Sequence, residues 1–464
     1  MYQKLNSKLI NKLREIVGAQ HLLTGKEQME DYSHDENPNF FARPEAVAKP
    51  ASAGEISQLL LLANRERFPV VARGSGTGVT GGALPLFGGL VISLERMNRI
   101  LEIDEENMMA VVEPGIITGE LHKAVEAKGL YYPPDPASLE DCTLGGNLAE
   151  DAGGPRAVKY GVTRDYISGI KAVLPTGEII EYGGKLAKNV TGYNLLHLLV
   201  GSEGTLGVIT EITVRLLVKP QHRVDLLVPF PSYRSAVHCV AAIIRRHFRP
   251  TAIEFMDRKC LRISREVLGE GISAADAEAH LLIEMDGMEK DDVERRYEAI
   301  GEVCLAEGAG DVMVADSPTY QEKIWATRRK LRDSLRAVSP IISAQDVVVP
   351  RMEIAALLDG ADKIGRKHGL EIVSFGHAGD GNVHVNFLKR NLDEKSWKKA
   401  LHQATTDLFT LSIKLGGTIS GEHGIGISKK DYLPLALKPA AIESMRRIKR
   451  ALDPANILNP GKIF

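Results

Sequence analysis

At 464 residues the chain exceeds a single ordinary core, so two or three domains are expected. Its composition is 44% apolar and 25% charged with a net charge of −2, which gives no argument for nucleic acid or for an anionic membrane surface as a partner. The four cysteines, Cys142, Cys239, Cys260 and Cys304, form no CxxC pair, which argues against an iron–sulfur cluster or a thioredoxin-like motif and fits a reducing cytoplasm.

In chain order, Leu5, Leu9, Leu13 and Ile16 repeat at helical spacing, so the N-terminus reads as an amphipathic helix packed on its own domain and not as a signal peptide. The sequence predicts a helix over 53–67 capped by Ser52, and strands over 68–73, 88–95 and 108–115. A helix over 118–129 should stop at Gly129, and 167–183 should form two strands around a Pro-Thr-Gly turn. Segment 205–218 reads as a strand pair, and Lys219-Pro220 as a domain boundary. Beyond it strands alternate with helices: helix 233–247, strands at 251–257 and 281–287, and a charged helix to about 307. Helix 317–337, strand 345–350, helix 352–369 and strand 371–375 follow, which suggests a sheet covered on one face by helices. No apolar run is long enough to span a bilayer.

The stretch RGSGTGVTGGA (73–83) matches GxGxxG literally through Gly76, Gly78 and Gly81. A Rossmann site needs a helix to start inside that motif, and here Pro85 and further glycines follow, so a nicotinamide-nucleotide site is rejected. What remains is a strand-to-strand loop of bare amides and small hydroxyls, a nest able to hold a diphosphate. Near the C-terminus, SFGHAGDGNVHVN (374–386) reads as strand, tight turn, strand, which would bring His377 and His384 together. Asn386, two past His384, should point to the same side. SGEHG (420–424) adds the neighbours Glu422 and His423. Imidazole and carboxylate suit a borderline divalent cation, and three ligands leave a position open for chemistry.

Four further segments complete a pattern: YYPPDPAS (131–138), TLGGNLAEDAGGPRAVKYGVTRDYI (143–167), KNVTGYNLLHLLVGSEGTLGVITEITVRL (188–216) and LDPANILNPGKIF (452–464). In this order, and with the glycine loop, the chain resembles the FAD-linked oxidases of the vanillyl-alcohol oxidase / p-cresol methylhydroxylase type. HAGDGNVH and SGEHGIG look like the branch holding the glycolate oxidase D subunit, D-lactate dehydrogenase and D-2-hydroxyglutarate dehydrogenase. The resemblance implies an α+β fold with a two-part FAD-binding domain over 1–220. It further implies an α/β sandwich substrate and metal domain over 221–425, and a segment 426–464 that returns to the flavin domain. It places Gly74, Ser75, Gly76, Thr77 and Gly78 at the diphosphate. Pro134, Thr143, Gly146, Asn147, Gly153, Tyr160 and Gly161 would line the flavin, with Glu203, Gly207 and Ile209 on its other side. No histidine or cysteine lies in the loop to attach the flavin, so the FAD should be non-covalent; His197 and Cys142 lie in other flavin-domain segments.

By the same resemblance Glu422 is the third metal ligand beside His377 and His384, His423 is the base, and Arg328 in IWATRRKLRDS grips the substrate carboxylate. The metal should be zinc, with iron and manganese as alternatives. The implied reaction is oxidation of a D-2-hydroxy acid to the 2-keto acid, with hydride passing to flavin N5. Electrons would leave for a separate acceptor: an iron–sulfur subunit, an electron-transfer flavoprotein, a cytochrome or a quinone. That would keep the protein cytoplasmic, at most peripheral to a membrane through such a partner. Members acting on a second carboxylate tend to carry a lysine just before the Asp-Val strand. Ala344 and Gln345 stand there instead, which favours lactate or glycolate over a dicarboxylate. Two other readings are a flavin-binding electron-transfer subunit of a larger complex, and a metal-free oxidase of phenols or sugars. The intact histidine pair argues against both.

Overall fold

The computed structural model describes residues 2–269 and 277–464 and resolves them into two compact units. The first takes 1–152, 162–219 and 422–464; the second takes 153–161 and 220–421. The boundary therefore falls between Lys219 and Pro220, but segment 153–161 goes with the second unit and the chain re-enters the first at Glu422.

The first unit holds a four-stranded and a five-stranded sheet. In the smaller, strand Leu90–Ser93 runs parallel to both Ala46–Ala48 and Val70–Arg73. Helix Ala53–Glu66 packs Ile56, Leu59 and Leu60 into that core, its first turn capped by Ser52 Oγ accepting from Glu55 N at 3.2 Å. The N-terminal helix Ser7–Val17 adds Leu9, Leu13 and Val17 to the same cluster. The C-terminal tail closes it: Ile457 and Leu458 are fully buried there, and Val70 N donates to Ile457 O at 2.8 Å. The five-stranded sheet is antiparallel, with Val208–Arg215 between Met109–Val112 and Ile167–Val173. The two strands expected within 205–218 do not pair with each other; Leu217–Val218 pairs with Leu130–Tyr131 instead. Between Arg73 and Leu90 no helix forms, as Pro85 and the surrounding glycines require.

The second unit is built on one seven-stranded sheet. Its order is Met313–Ala315, His222–Phe230, Ala279–Gly287, Ala252–Asp257, Glu371–His377, Asn382–Leu388 and Ile342–Val348. The edge strand Met313–Ala315 is not evident in the sequence. The helix expected over 317–337 is two, Pro318–Arg329 and Leu331–Val338, and the strand expected from 345 starts at Ile342. Helices cover both faces of the sheet, not one. Met256 packs with Cys260, Leu261, Leu331 and Leu335, while its neighbour Phe255 on the opposite face meets the Tyr233 ring edge-on at 5.8 Å. Strand-helix alternation cannot distinguish these cases, because each helix could return to either face.

The period of two along the central strands decides where the polar groups lie. Ala252 and Met256 belong to one apolar cluster, so Glu254 shares their face. Val373, Phe375 and Leu388 place His377, His384 and Asn386 on it, and Ile342 places Asp346 there. One half of a single sheet face is therefore apolar, and the other carries carboxylates, imidazoles and an amide.

Candidate active site

The turn 378–381 joins strands Glu371–His377 and Asn382–Leu388 in the expected antiparallel hairpin. His377 pairs with Asn382 and Phe375 with His384 across it, and the His377 and His384 ring centroids lie 5.2 Å apart, nearly perpendicular. Gly381 sits at φ +92°, and a Cβ there would lie 2.1 Å from Val349 O, so the turn needs glycine. Both histidines are buried.

The neighbouring strands add two carboxylates that spacing along the chain does not reveal. Glu254 is the register partner of His377, and its Oε1 lies 2.6 Å from His377 Nδ1. Its other oxygen lies 2.5 Å from Arg328 Nη2, and the residue is fully buried. Burial pushes the Glu254 carboxyl up, but its interactions with His377 and with the Arg328 guanidinium outweigh that and hold the group below the usual carboxylate range. Asp346 is the register partner of His384. It accepts from Asn382 Nδ2 at 2.6 Å, Ser420 Oγ at 3.2 Å and Gly421 N at 3.0 Å. Its strand thereby ties down the chain immediately before Glu422. Within the second unit, His377, His384 and Asp346 thus stand together on one sheet face, at the end of the chain that leads into Glu422 and His423. Two adjacent imidazoles beside carboxylates are the donor types that suit a divalent cation. His423 Nε2 is 3.7 Å from Glu422 Oε1. Both Glu254 and Asp346 leave one trace in the sequence: a carboxylate among mostly apolar residues inside a strand, in AIEFM and AQDVVV.

Arg328, on helix Pro318–Arg329, is buried, with its guanidinium carbon 4.8 Å from the Phe375 ring centroid. The structure thus gives this candidate carboxylate grip a carboxylate partner within the protein, Glu254. Asn386 is buried on the same face; its Nδ2 donates to Val373 O at 3.2 Å, and its Oδ1 has no hydrogen-bond partner. Gln345 is also buried, its amide donating to Ser343 Oγ at 2.9 Å.

In the first unit the glycine loop is shaped by its neighbours. A side chain at Gly74 would strike Thr143 Oγ1 at 2.2 Å, one at Gly76 would strike the Arg73 guanidinium at 2.1 Å, and Gly78 faces open space. Gly76 also sits at φ +80°. Arg73 is buried under the loop; Nη2 donates to Asp31 O at 2.7 Å, and Nη1 has no hydrogen-bond partner. Asp35 holds the far end, accepting from Gly81 N at 2.7 Å. A buried cation with a spare N–H beneath amides and the small hydroxyls of Ser75 and Thr77 fits an anionic diphosphate.

Thr143 caps helix Leu144–Glu150, its Oγ1 accepting from Gly146 N at 3.3 Å, and Asn147 Nδ2 donates to Thr118 Oγ1 at 2.8 Å. The Pro134 carbonyl lies 3.0 Å from His122 Nε2. Gly207 and Ile209 lie at the start of strand Val208–Arg215. Glu203 does something the sequence does not predict. Its carboxylate accepts from Ile425 N at 2.8 Å and Gly426 N at 2.7 Å, directly after the Glu422-His423 pair. Gly153, Tyr160 and Gly161 lie in the segment grouped with the second unit, where Tyr160 Oη donates to both Asp286 oxygens, at 3.0 and 3.1 Å. His197 is exposed on helix Leu195–Leu199, and Cys142 is a buried free thiol.

Comparison with known proteins agrees with this architecture. Residues 44–183 match the FAD binding domain family and residues 219–463 the C-terminal domain of FAD linked oxidases. The glycolate oxidase subunit GlcD of Bacillus subtilis (strain 168) is 44% identical over 93% of this chain and 92% of its own. A D-lactate dehydrogenase of Anaerostipes hadrus is 38% identical over 100% and 98%. A D-2-hydroxyglutarate dehydrogenase of Stutzerimonas stutzeri (strain A1501) is 34% identical over 98% of each. The structure of p-cresol methylhydroxylase with substrate bound superposes with a TM-score of 0.80 at 19% identity over 98% of this chain and 96% of its own, a likeness of fold. The chain therefore belongs to the FAD-linked oxidases of the vanillyl-alcohol oxidase type, and it is an FAD-dependent oxidoreductase.

Proposed function

We propose that the protein oxidises a small D-2-hydroxy acid, D-lactate or glycolate, to the 2-keto acid with the help of a divalent metal, and hands the electrons to a separate acceptor. The observation that carries this reading is the buried His377–His384 pair, ring centroids 5.2 Å apart, in a chain of this flavin family, with Glu422 as the third ligand that the family resemblance implies. The names of the relatives, glycolate oxidase subunit and D-lactate dehydrogenase, support the substrate class. When bound, FAD supplies a hydride acceptor and a cation such as zinc supplies Lewis acidity toward the substrate hydroxyl.

The protein's own groups do the rest. His423 takes the hydroxyl proton at a ring nitrogen, as a neutral imidazole can near neutral pH. Arg328 holds the carboxylate through guanidinium nitrogens not used by Glu254. Asn386 has an unpartnered buried oxygen to offer a donor on the substrate. Arg73 and the amides of the 74–78 loop hold the diphosphate of a non-covalent FAD. Ala344 and Gln345 offer no cation for a second carboxylate, which favours a monocarboxylate.

The test is turnover on a panel of D- and L-2-hydroxy acids with an artificial dye as acceptor, before and after chelation. D-lactate or glycolate should be oxidised, chelation should abolish turnover with the flavin spectrum intact, and acid denaturation should release a yellow cofactor into the supernatant. Full activity in protein shown by elemental analysis to be metal-free would refute the metal, and flavin retained on the precipitate would refute non-covalent binding.

A further inference from the structure

We propose that Glu254 is a positioning residue that sets the ring orientation and tautomer of His377 for metal binding and couples that ligand to Arg328. This rests on the metal reading above.

The backbone puts Glu254 there. It and His377 are register partners on adjacent antiparallel strands, so their side chains leave the same sheet face side by side. At 2.6 Å from the carboxylate, Nδ1 of His377 is the ring nitrogen engaged by Glu254. A neutral imidazole donates from one nitrogen and accepts at the other. With Nδ1–H committed to Glu254, the lone pair of His377 is on Nε2, the nitrogen that would ligate a cation. A carboxylate behind a ligating histidine also makes the ring a stronger donor.

The second oxygen of Glu254 carries the coupling. Arg328 Nη2 lies 2.5 Å from it, while the same guanidinium lies over the Phe375 ring at 4.8 Å. Phe375 in turn packs against His384, ring centroids 5.6 Å apart. Arg328 therefore touches the support of each histidine: the carboxylate behind His377 and the ring beside His384. Glu254 is fully buried, so neither contact is exchanged for water when the partner is removed.

The experiment uses the flavin-loaded full chain after chelation and dialysis, titrated with Zn²⁺ or Co²⁺ against a competing chelator. Glu254→Gln keeps the shape and removes the charge. Its metal affinity should fall roughly 10–100-fold with flavin content unchanged. Turnover should recover at saturating metal while KM for the hydroxy acid stays raised, because Arg328 has lost its anchor. A merely structural defect would not be rescued by metal.

Arg328 could be left as an unpaired buried charge and unfold that variant. Glu254→Gln combined with Arg328→Gln removes charge and counter-charge together, and its metal affinity should fall by the same factor. Equal affinity in wild type and Glu254→Gln, beside a His384→Ala protein that binds no metal, would overturn the Glu254 assignment alone. A wild-type protein that takes up no divalent cation would overturn the metal reading with it.

Discussion

His423 and Arg328 have distinct tasks under the proposed chemistry, and residue-level substitution separates them. If His423 takes the proton, His423→Ala should slow flavin reduction roughly 10²–10⁴-fold while substrate still saturates the enzyme. Arg328→Lys should raise KM as well as lower the rate. A point charge cannot replace a planar fork that must serve Glu254 on one side and a carboxylate on the other. Stopped-flow reduction of the bound flavin over a range of D-lactate concentrations reads both effects. Near-normal reduction in the His423 variant would remove it as the base, and unchanged saturation in the Arg328 variant would move the carboxylate site elsewhere. Single residues also show what local reading can recover. Gly381 and Gly76 sit where a turn or a buried guanidinium leaves no room for a Cβ, and both stand out in the sequence as members of glycine clusters.

Among the elements, Asp257 joins two parts of the second unit. It caps helix Arg258–Leu268 through Oδ1, which accepts from Cys260 N at 2.7 Å, and its Oδ2 accepts from Ser374 N at 2.7 Å. Ser374 is on the strand that ends in His377. Burial pushes the Asp257 carboxyl up to about 6, a sign of how far it is from water. Asp257→Ala loses the cap and leaves a buried strand amide without its partner, which should cost about 1–3 kcal/mol. Chemical denaturation followed by circular dichroism should show that loss; an unchanged midpoint would mean another acceptor replaces the carboxylate. The hairpin carrying both histidines was legible because strand, Gly-Asp-Gly turn and strand are contiguous. The helices on both sheet faces were not, because alternation carries no information about which face a helix covers.

For the molecule as a whole, the return of the C-terminal tail to the first unit has an electrostatic consequence. Lys462 is buried, its Nζ donating to Leu84 O at 2.6 Å and Asn459 Oδ1 at 2.9 Å. Burial drives its ammonium down to about 7, against the attraction of Glu203, from an unfolded value of 10.5. Between those two values the unfolded chain binds the extra proton and the folded chain does not, so this group's contribution to stability rises with pH across that window. Below about 7 it is charged in both states and its contribution is flat. The thermal midpoint of wild type minus that of Lys462→Met should therefore increase from about pH 7 to about pH 9. Since other titrating groups cancel in the difference, a flat difference would exclude the shift.

The sequence by itself determined what is set by short spacing. Pro85 and the glycines exclude a helix after the 73–83 loop, the period of two places His377 and His384 in one hairpin, and the motif order identifies the flavin family. No helix among the described residues is long and apolar enough to cross a membrane, in line with the absence of a long apolar run. Only the tertiary structure decided the company those residues keep. Glu254 lies 123 positions from His377, and Asp346 lies 75 from Gly421. In the chain each is a carboxylate among mostly apolar residues, with nothing to say which imidazole or amide it will meet. Strand order and register, fixed by which apolar faces bury together across the whole sheet, put Glu254 beside His377 and Asp346 beside His384.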